Sequence, residues 1–336
     1  MMTVKGGEMK ECITECDSGM SACTRRGFLT GATSLAAMAA TATGAVAASG
    51  KKRELDDNLI LLLADCHVAA GGGTGSFAYR RLQYCIDSAL GLEKIPRRAL
   101  VFGDIAGTVG PKEDYELSAI QFRRLEDAGV EVSYMMGNHD RRAGFLAVHS
   151  ECAAKSPLPG RLVQVVETPM CDFILLDSLI GEDGDDKIVV RGALDPVQTE
   201  WLEATVSKGD KPAIVCAHHD CEELLNSKGK PLEEFLPYIP RVRGFIHGHI
   251  HRWNHEWQRR FDGDGRFMRR LSLPATGNWG DLGYCLLRFT PEKTAEVRLF
   301  QNDYCYPKPV PAEKRPRSWD MIVSDNRNLV CTFDLG

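Results

Sequence analysis

The chain has no apolar run suited to crossing a bilayer. Its one extended, weakly apolar stretch follows Arg25-Arg26 and is broken by Gly31, Thr33, Ser34, Thr41, Thr43 and Gly44, which argues against a stable membrane span in the mature chain. A basic excess is also missing. With 41 Lys and Arg against 46 Asp and Glu, the formal charge is −5, so no broad positive field exists to hold a nucleic acid as main partner. A small phosphorylated substrate remains compatible, because a metal can meet its charge locally. No pair among the 12 cysteines has the CxxC spacing of a zinc ribbon, which leaves a structural zinc site unsupported. Gly71-Gly72-Gly73-Thr74-Gly75 lacks the Gly-Lys-Ser/Thr of a Walker loop and reads as a flexible lip instead. There is no internal repeat and no second segment with a core of its own.

What is present begins with a leader. Thr24-Arg25-Arg26-Gly27-Phe28-Leu29, a Gly/Ala/Thr-rich stretch and Ala45-Val46-Ala47 resemble a twin-arginine export signal with a small-residue cleavage site. That reading makes residues 1–50 a leader, the twin-arginine export machinery a partner, and the destination periplasmic or extracellular. A disordered basic tail is the alternative, and Met1 and Met20 both stand as starts. Three cysteines (Cys12, Cys16, Cys23) fall in this leader. Of the nine that follow, Cys66, Cys171, Cys216 and Cys285 lie in or beside apolar runs and read as small buried side chains. An exported protein permits disulfides, but spacing does not reveal pairing.

Residues 51–57 read as a charged linker, with regular structure from Asn58. At 336 residues and 43% hydrophobic content the chain supports a substantial core. Short apolar runs then alternate with longer amphipathic ones: 59–64, helix 79–90, 99–102, helix 117–128, 130–136. Further strands are expected at 161–166, 173–176, 213–217 and 244–246, with a helix at 198–206 after Pro196. Four more follow at 255–261, 267–273, 284–289 and 295–300. The fold class is α/β, a two-layer β-sheet sandwich flanked by helices, over residues 58–301. Residues 302–336, with Pro307, Pro309, Pro311 and Pro316, read as an extended tail laid over that domain.

The residues with chemistry stand where expected strands stop, the end at which α/β folds gather ligands. They are Asp65-Cys66-His67, Gly103-Asp104, Gly137-Asn138-His139-Asp140, His218-His219 and Gly248-His249-Ile250-His251. Carboxylates, one amide oxygen and several imidazoles make a hard-metal ligand set. In order and spacing these segments resemble the calcineurin-like metallophosphoesterase superfamily, over roughly residues 59–300. Asp177-Ser178, Gly192-x-Leu194 and Gln198-x-x-Trp201-Leu202 are similar to a stretch of its class III cyclic-nucleotide phosphodiesterase-like branch.

The resemblance implies two divalent or mixed-valence ions (Fe, Mn or Zn). Asp65, His67 and His251 would hold the first; Asn138, His218 and His249 the second; Asp104 would bridge both. Hydrolysis of a small phosphate ester would proceed by in-line attack of a metal-bridging hydroxide, with phosphodiesters favoured. A phosphomonoesterase of the same fold is the alternative, and a non-catalytic metal- or phosphate-binding protein is the alternative of another class. His139 resembles a proton donor near the leaving oxygen, and Asp140 a partner that orients it. His218 and His219 are both ligand candidates, the motif favouring His218; His219 is otherwise a substrate contact. Arg141, Arg142 and Arg252 are either phosphate clamps or solvated rim charges. His247 reads as a buried structural residue, while His149 and His255 have no motif support. Two departures stand out: Asp220 where relatives often carry Pro, and Gly107 where purple acid phosphatases carry an iron-binding Tyr.

Overall fold

The computed structural model describes residues 54–181, 184, 187–259, 267–301 and 329–336. The leader and most of the C-terminal Pro-rich segment therefore lie outside the described residues. In chain order the elements are β1 (Leu55–Leu63), α1 (Phe77–Leu90), β2 (Ile95–Phe102), α2 (Lys112–Asp127), β3 (Glu131–Met135), α3 (Arg142–Leu146), α4 (Glu151–Lys155), β4 (Gln164–Glu167), β5 (Asp172–Leu175) and α5 (Pro196–Ser207). There follow β6 (Ala213–Ala217), β7 (Val242–His247), β8 (Asn254–Arg259), β9 (Phe267–Ser272), β10 (Gly283–Phe289), β11 (Thr294–Gln301) and β12 (Val330–Asp334). Two six-stranded sheets form, in the orders β12-β11-β10-β1-β2-β3 and β4-β5-β6-β7-β9-β8.

Side chains on a strand alternate between its two faces, and here both faces are apolar. In β1, Leu59, Leu61 and Leu63 face a core shared with α1 and α2, through Leu82, Ile86 and Phe122. Ile60 and Leu62 face the other way, into a core between the sheets with Phe173, Ile214 and Ile246. Beyond the second sheet, Val215 and Phe245 pack with Leu202 and Val206 of α5. The sequence of layers is thus helix, sheet, sheet, helix, in agreement with the expected sandwich. Eight cysteines are free and buried among the described residues. Cys305 lies outside them.

Two expected boundaries need correction. Residues 51–57 are not wholly a linker, because β1 begins at Leu55. Leu55 and Asp56 pair with Ile95 and Pro96, and Asp57 accepts from the Arg97 guanidinium at 2.8 Å. Charge at these positions serves the start of an interior strand, and periodicity alone reads it as linker. The C-terminal segment likewise does more than lie over the domain: β12 pairs antiparallel with β11, setting Phe333 opposite Ala295. Its Phe333 is fully buried between the sheets. Phe333→Ala is therefore expected to destabilise the fold by about 3–5 kcal/mol, measured by chemical denaturation, whereas a loosely laid tail would tolerate the change.

Candidate metal centre

Each ligand segment follows a strand whose neighbour runs parallel to it. Asp65, Asp104 and Asn138 lie just past β1, β2 and β3, and His218, His249 and His251 just past β6 and β7. The carboxyl ends of both sheets therefore open on one place. The chain turns sharply there. Asp65, His67, Asp104, His249 and His251 all take left-handed φ values, between 45° and 68°. Non-glycine residues rarely adopt this conformation, at a cost of roughly 1–3 kcal/mol each, so a rigid surround must hold it. Part of that surround is backbone: His67 N–H donates to the Asp104 carbonyl at 2.9 Å, and His249 N–H donates to the Asp65 carboxylate at 3.1 Å. Gly137 is required by close approach, since a Cβ there would lie 2.2 Å from Asp104 Oδ1.

Two constellations result. In the first, His251 Nε2 lies 3.2 Å from Asp65 Oδ1 and 3.1 Å from His67 Nε2, which is 3.6 Å from Asp104 Oδ2. In the second, His218 Nε2 lies 3.1 Å from Asn138 Oδ1, 3.2 Å from His249 Nδ1 and 3.4 Å from Asp104 Oδ2. Asp104 thus touches both. His218 Nδ1 donates to the Phe102 carbonyl at 2.8 Å, which leaves Nε2 as a lone-pair nitrogen. Lone pairs crowding at such distances, with no proton to share between His218 Nε2 and Asn138 Oδ1, repel unless a cation sits among them.

The electrostatics agree with that fit. Burial drives the Asp104 carboxyl well above its ordinary range, reinforced by the charges of Asp65 and Asp140. Asp65 is also pushed up by burial, but His251, His218 and His67 outweigh this and hold it below the usual range. Burial brings His67 down to about 3 and lowers His218 and His249, which favours the neutral form that a metal ligand needs, whereas at His251 burial is outweighed by the Asp65 carboxylate, which raises the pKa. A positive charge between Asp65 and Asp104 would relieve their repulsion directly.

Several expected roles change. Asp140 does not orient His139. The turn Gly137–Asp140 folds its carboxylate back, where it accepts from the N–H groups of Gly137 (2.9 Å), Ile105 and Ala106 (both 3.1 Å) and from the Tyr115 hydroxyl (3.1 Å). It fastens the Asp104 loop to the Asn138 loop. His139 instead donates from Nδ1 to the Thr108 carbonyl at 3.0 Å, with its ring edge-on to His67. Arg141 is buried, with its guanidinium on the carbonyls of Asp140 and Lys187, and Arg142 grips Asp177 through two bonds of 2.7 Å; neither serves as a phosphate clamp. Arg252 is exposed.

His219 is fully buried. It accepts from Ser178 Oγ at 2.7 Å on Nδ1 and donates from Nε2 to the Val190 carbonyl at 3.1 Å, so the expected substrate contact does not hold for it. The same bonds favour His218 over its neighbour as ligand. His247 is buried against Asp220, with Nε2 3.5 Å from Oδ2. His149 packs on Phe145 and Tyr134, away from the centre. A side chain at Gly107 would collide with Ala69 at 2.7 Å, which bars the tyrosine of a purple enzyme. Sequence reasoning missed Trp279. It lies across His251, ring centroids 6.0 Å apart and planes 16° from parallel, in a Gly-Asn-Trp-Gly turn whose lone aromatic shows no periodicity.

The calcineurin-like phosphoesterase family profile matches residues 59–253, and the chain belongs to that family. Among solved structures, a dimetal phosphatase from Danio rerio is similar at 15% identity and a TM-score of 0.54, over 72% of this chain and 96% of that one. A calcineurin-like phosphoesterase from Bacillus subtilis is similar at 11% identity and a TM-score of 0.38, over 73% of this chain and 85% of that one. No curated protein gives a significant match. Likeness at such identity concerns the fold. Within this chain, Asp65, His67, Asp104 and His251 stand close enough to share a metal ion, as do His218 and His249; His219 lies beside the second group with both ring nitrogens already engaged.

Asp140→Ala would strip the acceptor from three buried N–H groups and one hydroxyl, at roughly 1–3 kcal/mol per unmet donor. The expected outcome is a loss of metal retention together with a lower melting temperature, followed by metal analysis and thermal unfolding. Tyr115→Phe, which removes one of those donors, is expected to cost less, about 1–2 kcal/mol. Equal effects from the two would refute the fastening role.

Proposed function

We propose that the chain is a metal-dependent hydrolase of small phosphate esters, phosphodiesters favoured, of the class III cyclic-nucleotide phosphodiesterase-like kind. The observation that carries the reading is the convergence of Asp65, His67 and His251 on one side of Asp104 and of Asn138, His218 and His249 on the other. Each trio would hold one ion, with Asp104 shared, and Fe, Mn and Zn all suit imidazole with carboxylate. Such ions supply Lewis-acid polarisation of phosphoryl oxygen and a water with its pKa lowered toward about 7.

The chain's own groups do the rest. Asn138 offers an oxygen without charge, leaving the second position more electrophilic than a third carboxylate would. His218 is kept in one tautomer by the Phe102 carbonyl. His139, its Nδ1–H held by the Thr108 carbonyl, gives a proton to the leaving oxygen from Nε2 only in its imidazolium form, which burial disfavours and the Thr108 carbonyl and Asp65 favour.

The preference for diesters draws support from the segment similar to the phosphodiesterase branch, which lies beside the centre. Gln198 clamps Asp177 through paired bonds of 2.8 Å, one in each direction with its backbone, and Ser178 reaches His219. Among the described residues no added cap domain crowds the opening. The leader motif adds export by the twin-arginine machinery to a periplasmic or extracellular site, and no described helix is long and apolar enough to cross a membrane.

Two measurements test the reading. Protein reconstituted with Mn, Zn or Fe, with metal content measured, is expected to hydrolyse bis(p-nitrophenyl) phosphate faster than p-nitrophenyl phosphate. The reverse order would make it a monoesterase, and metal-loaded protein inert on both would be a binding protein. His139→Ala is expected to keep both metals while kcat falls about 10²–10⁴-fold; an unchanged kcat would refute the proton-donor role.

A further inference from the structure

The rim of the centre carries an aromatic surface that the proposed hydrolysis does not use. Trp279 is 60% exposed, yet it sits directly on the ligand set. One face stacks on His251, and its ring lies edge-on to His67 at 5.4 Å between centroids. Leaving so large an apolar surface in water forgoes the gain of burying it, so its position calls for a reason.

The backbone gives a second sign. Trp279 has φ +62, a conformation that a bulky residue adopts only where its surroundings impose it. Those surroundings are specific. Thr276 N–H donates to the Ala64 carbonyl at 2.7 Å and Gly277 N–H to the Asp65 carbonyl at 3.0 Å. Asp281 N–H donates to the His251 carbonyl at 2.8 Å, and its carboxylate accepts from Trp253 N–H at 2.8 Å. The buried Arg81 guanidinium donates to the Gly277 carbonyl and to Asn278 Oδ1. The loop is stitched to the two ligand segments on either side of it, so the indole is held in fixed relation to Asp65 and His251.

We infer that the exposed indole of Trp279 is a stacking platform for a planar aromatic group of the substrate, which makes the preferred ester one of a nucleoside or an aryl alcohol. The inference rests on the phosphoesterase reading and narrows its substrate class. A rigid indole lying nearly parallel to a ligand imidazole, 6.0 Å between centroids, can order the aromatic part of an ester while its phosphoryl group faces Asp104. Stacking tolerates different rings, because each offers a π-face. Arg141 and Arg142, committed to internal partners, do not supply that discrimination.

The test compares wild type, Trp279→Phe and Trp279→Ala as metal-loaded full chains. Substrates are bis(p-nitrophenyl) phosphate, which is aromatic, and glycerophosphocholine, which has no aromatic group. The expected result is that the aromatic-to-aliphatic ratio of kcat/KM falls about tenfold in the Ala variant and within about threefold in the Phe variant. Calorimetric titration with adenosine monophosphate and with glycerol 3-phosphate provides a readout free of turnover. Only the first should weaken in the Ala variant. Parallel losses on both substrates would mean that Trp279 merely shapes its loop and would overturn the platform, as would an unchanged ratio. A wild type that hydrolyses neither ester but binds adenosine monophosphate through Trp279 would sink the phosphoesterase reading and leave the platform standing.

Discussion

Three carboxylates that water does not reach, Asp65, Asp104 and Asp140, share one small volume, and their mutual repulsion sets the terms for everything around them. Buried charge is tolerated only when it is paired or fully hydrogen-bonded. Asp140 is answered by three backbone N–H groups and a phenol, which offset a burial that still lifts its pKa to about 6. Asp65 is answered by His251 and by the His249 N–H. Asp104 is the least satisfied of the three: the His139 N–H reaches one of its oxygens at 2.8 Å, and the other faces His67 Nε2 and the lone-pair Nε2 of His218. That imbalance is what a pair of cations would resolve, and it explains why the ligand candidates surround this one side chain.

The sandwich makes such an arrangement affordable. Left-handed turns at five of the candidates cost free energy that local sequence does not return, so they need rigid walls on both sides. Those walls are β1, β2 and β3 in one sheet and β6 and β7 in the other, joined through the core of Ile60, Leu62, Phe173, Ile214 and Ile246. Because each ligand sits within a few residues of a strand with buried side chains, packing in the core fixes the site directly. Asp140 then ties two of the loops together, a role that the mere proximity of strand ends would not supply.

The sequence reveals the strand ends best. Apolar runs such as Leu61-Leu62-Leu63-Ala64 and Ile214-Val215-Cys216-Ala217 stop at Asp65 and His218, so hydrophobic patterning places chemistry and fold together. Long-range pairing is less legible. The strand around Phe333 follows a Pro-rich run and declares itself only through its partner Ala295, while Leu55-Asp56-Asp57 looks like a linker because its charges meet Arg288 and Arg97, both distant in the chain. Side-chain direction inside a tight turn is hidden as well. Asp140 adjoins His139 in the chain, but the hydrogen bond from Asp140 N–H to the Gly137 carbonyl closes a turn that sends its carboxylate toward Ile105 and Ala106. The Gly71–Gly75 lip proves to be a short 3₁₀ turn, Ala70–Gly75, anchored where Ala70 N–H meets Asp114 at 2.7 Å.

Asp220, which departs from the resembled pattern, shows how a ligand loop can be held without the proline seen there. A proline would stiffen the turn after His218 by fixing its own φ and removing an N–H. Here Asp220 lies 3.5 Å from both the Arg270 guanidinium and His247 Nε2, so β9 grips the turn through charge and the end of β7 packs a buried imidazole against it. Arg270 also meets Glu222 and Glu256, and its charge is more than matched. His247 directly precedes Gly248 and His249, so one network braces His218 from behind while reaching the segment that carries His249. The two histidines facing each other across Nε2 and Nδ1 are therefore steadied by a single buried arginine. The departure replaces backbone stiffness with an ion network and leaves the ligand geometry intact.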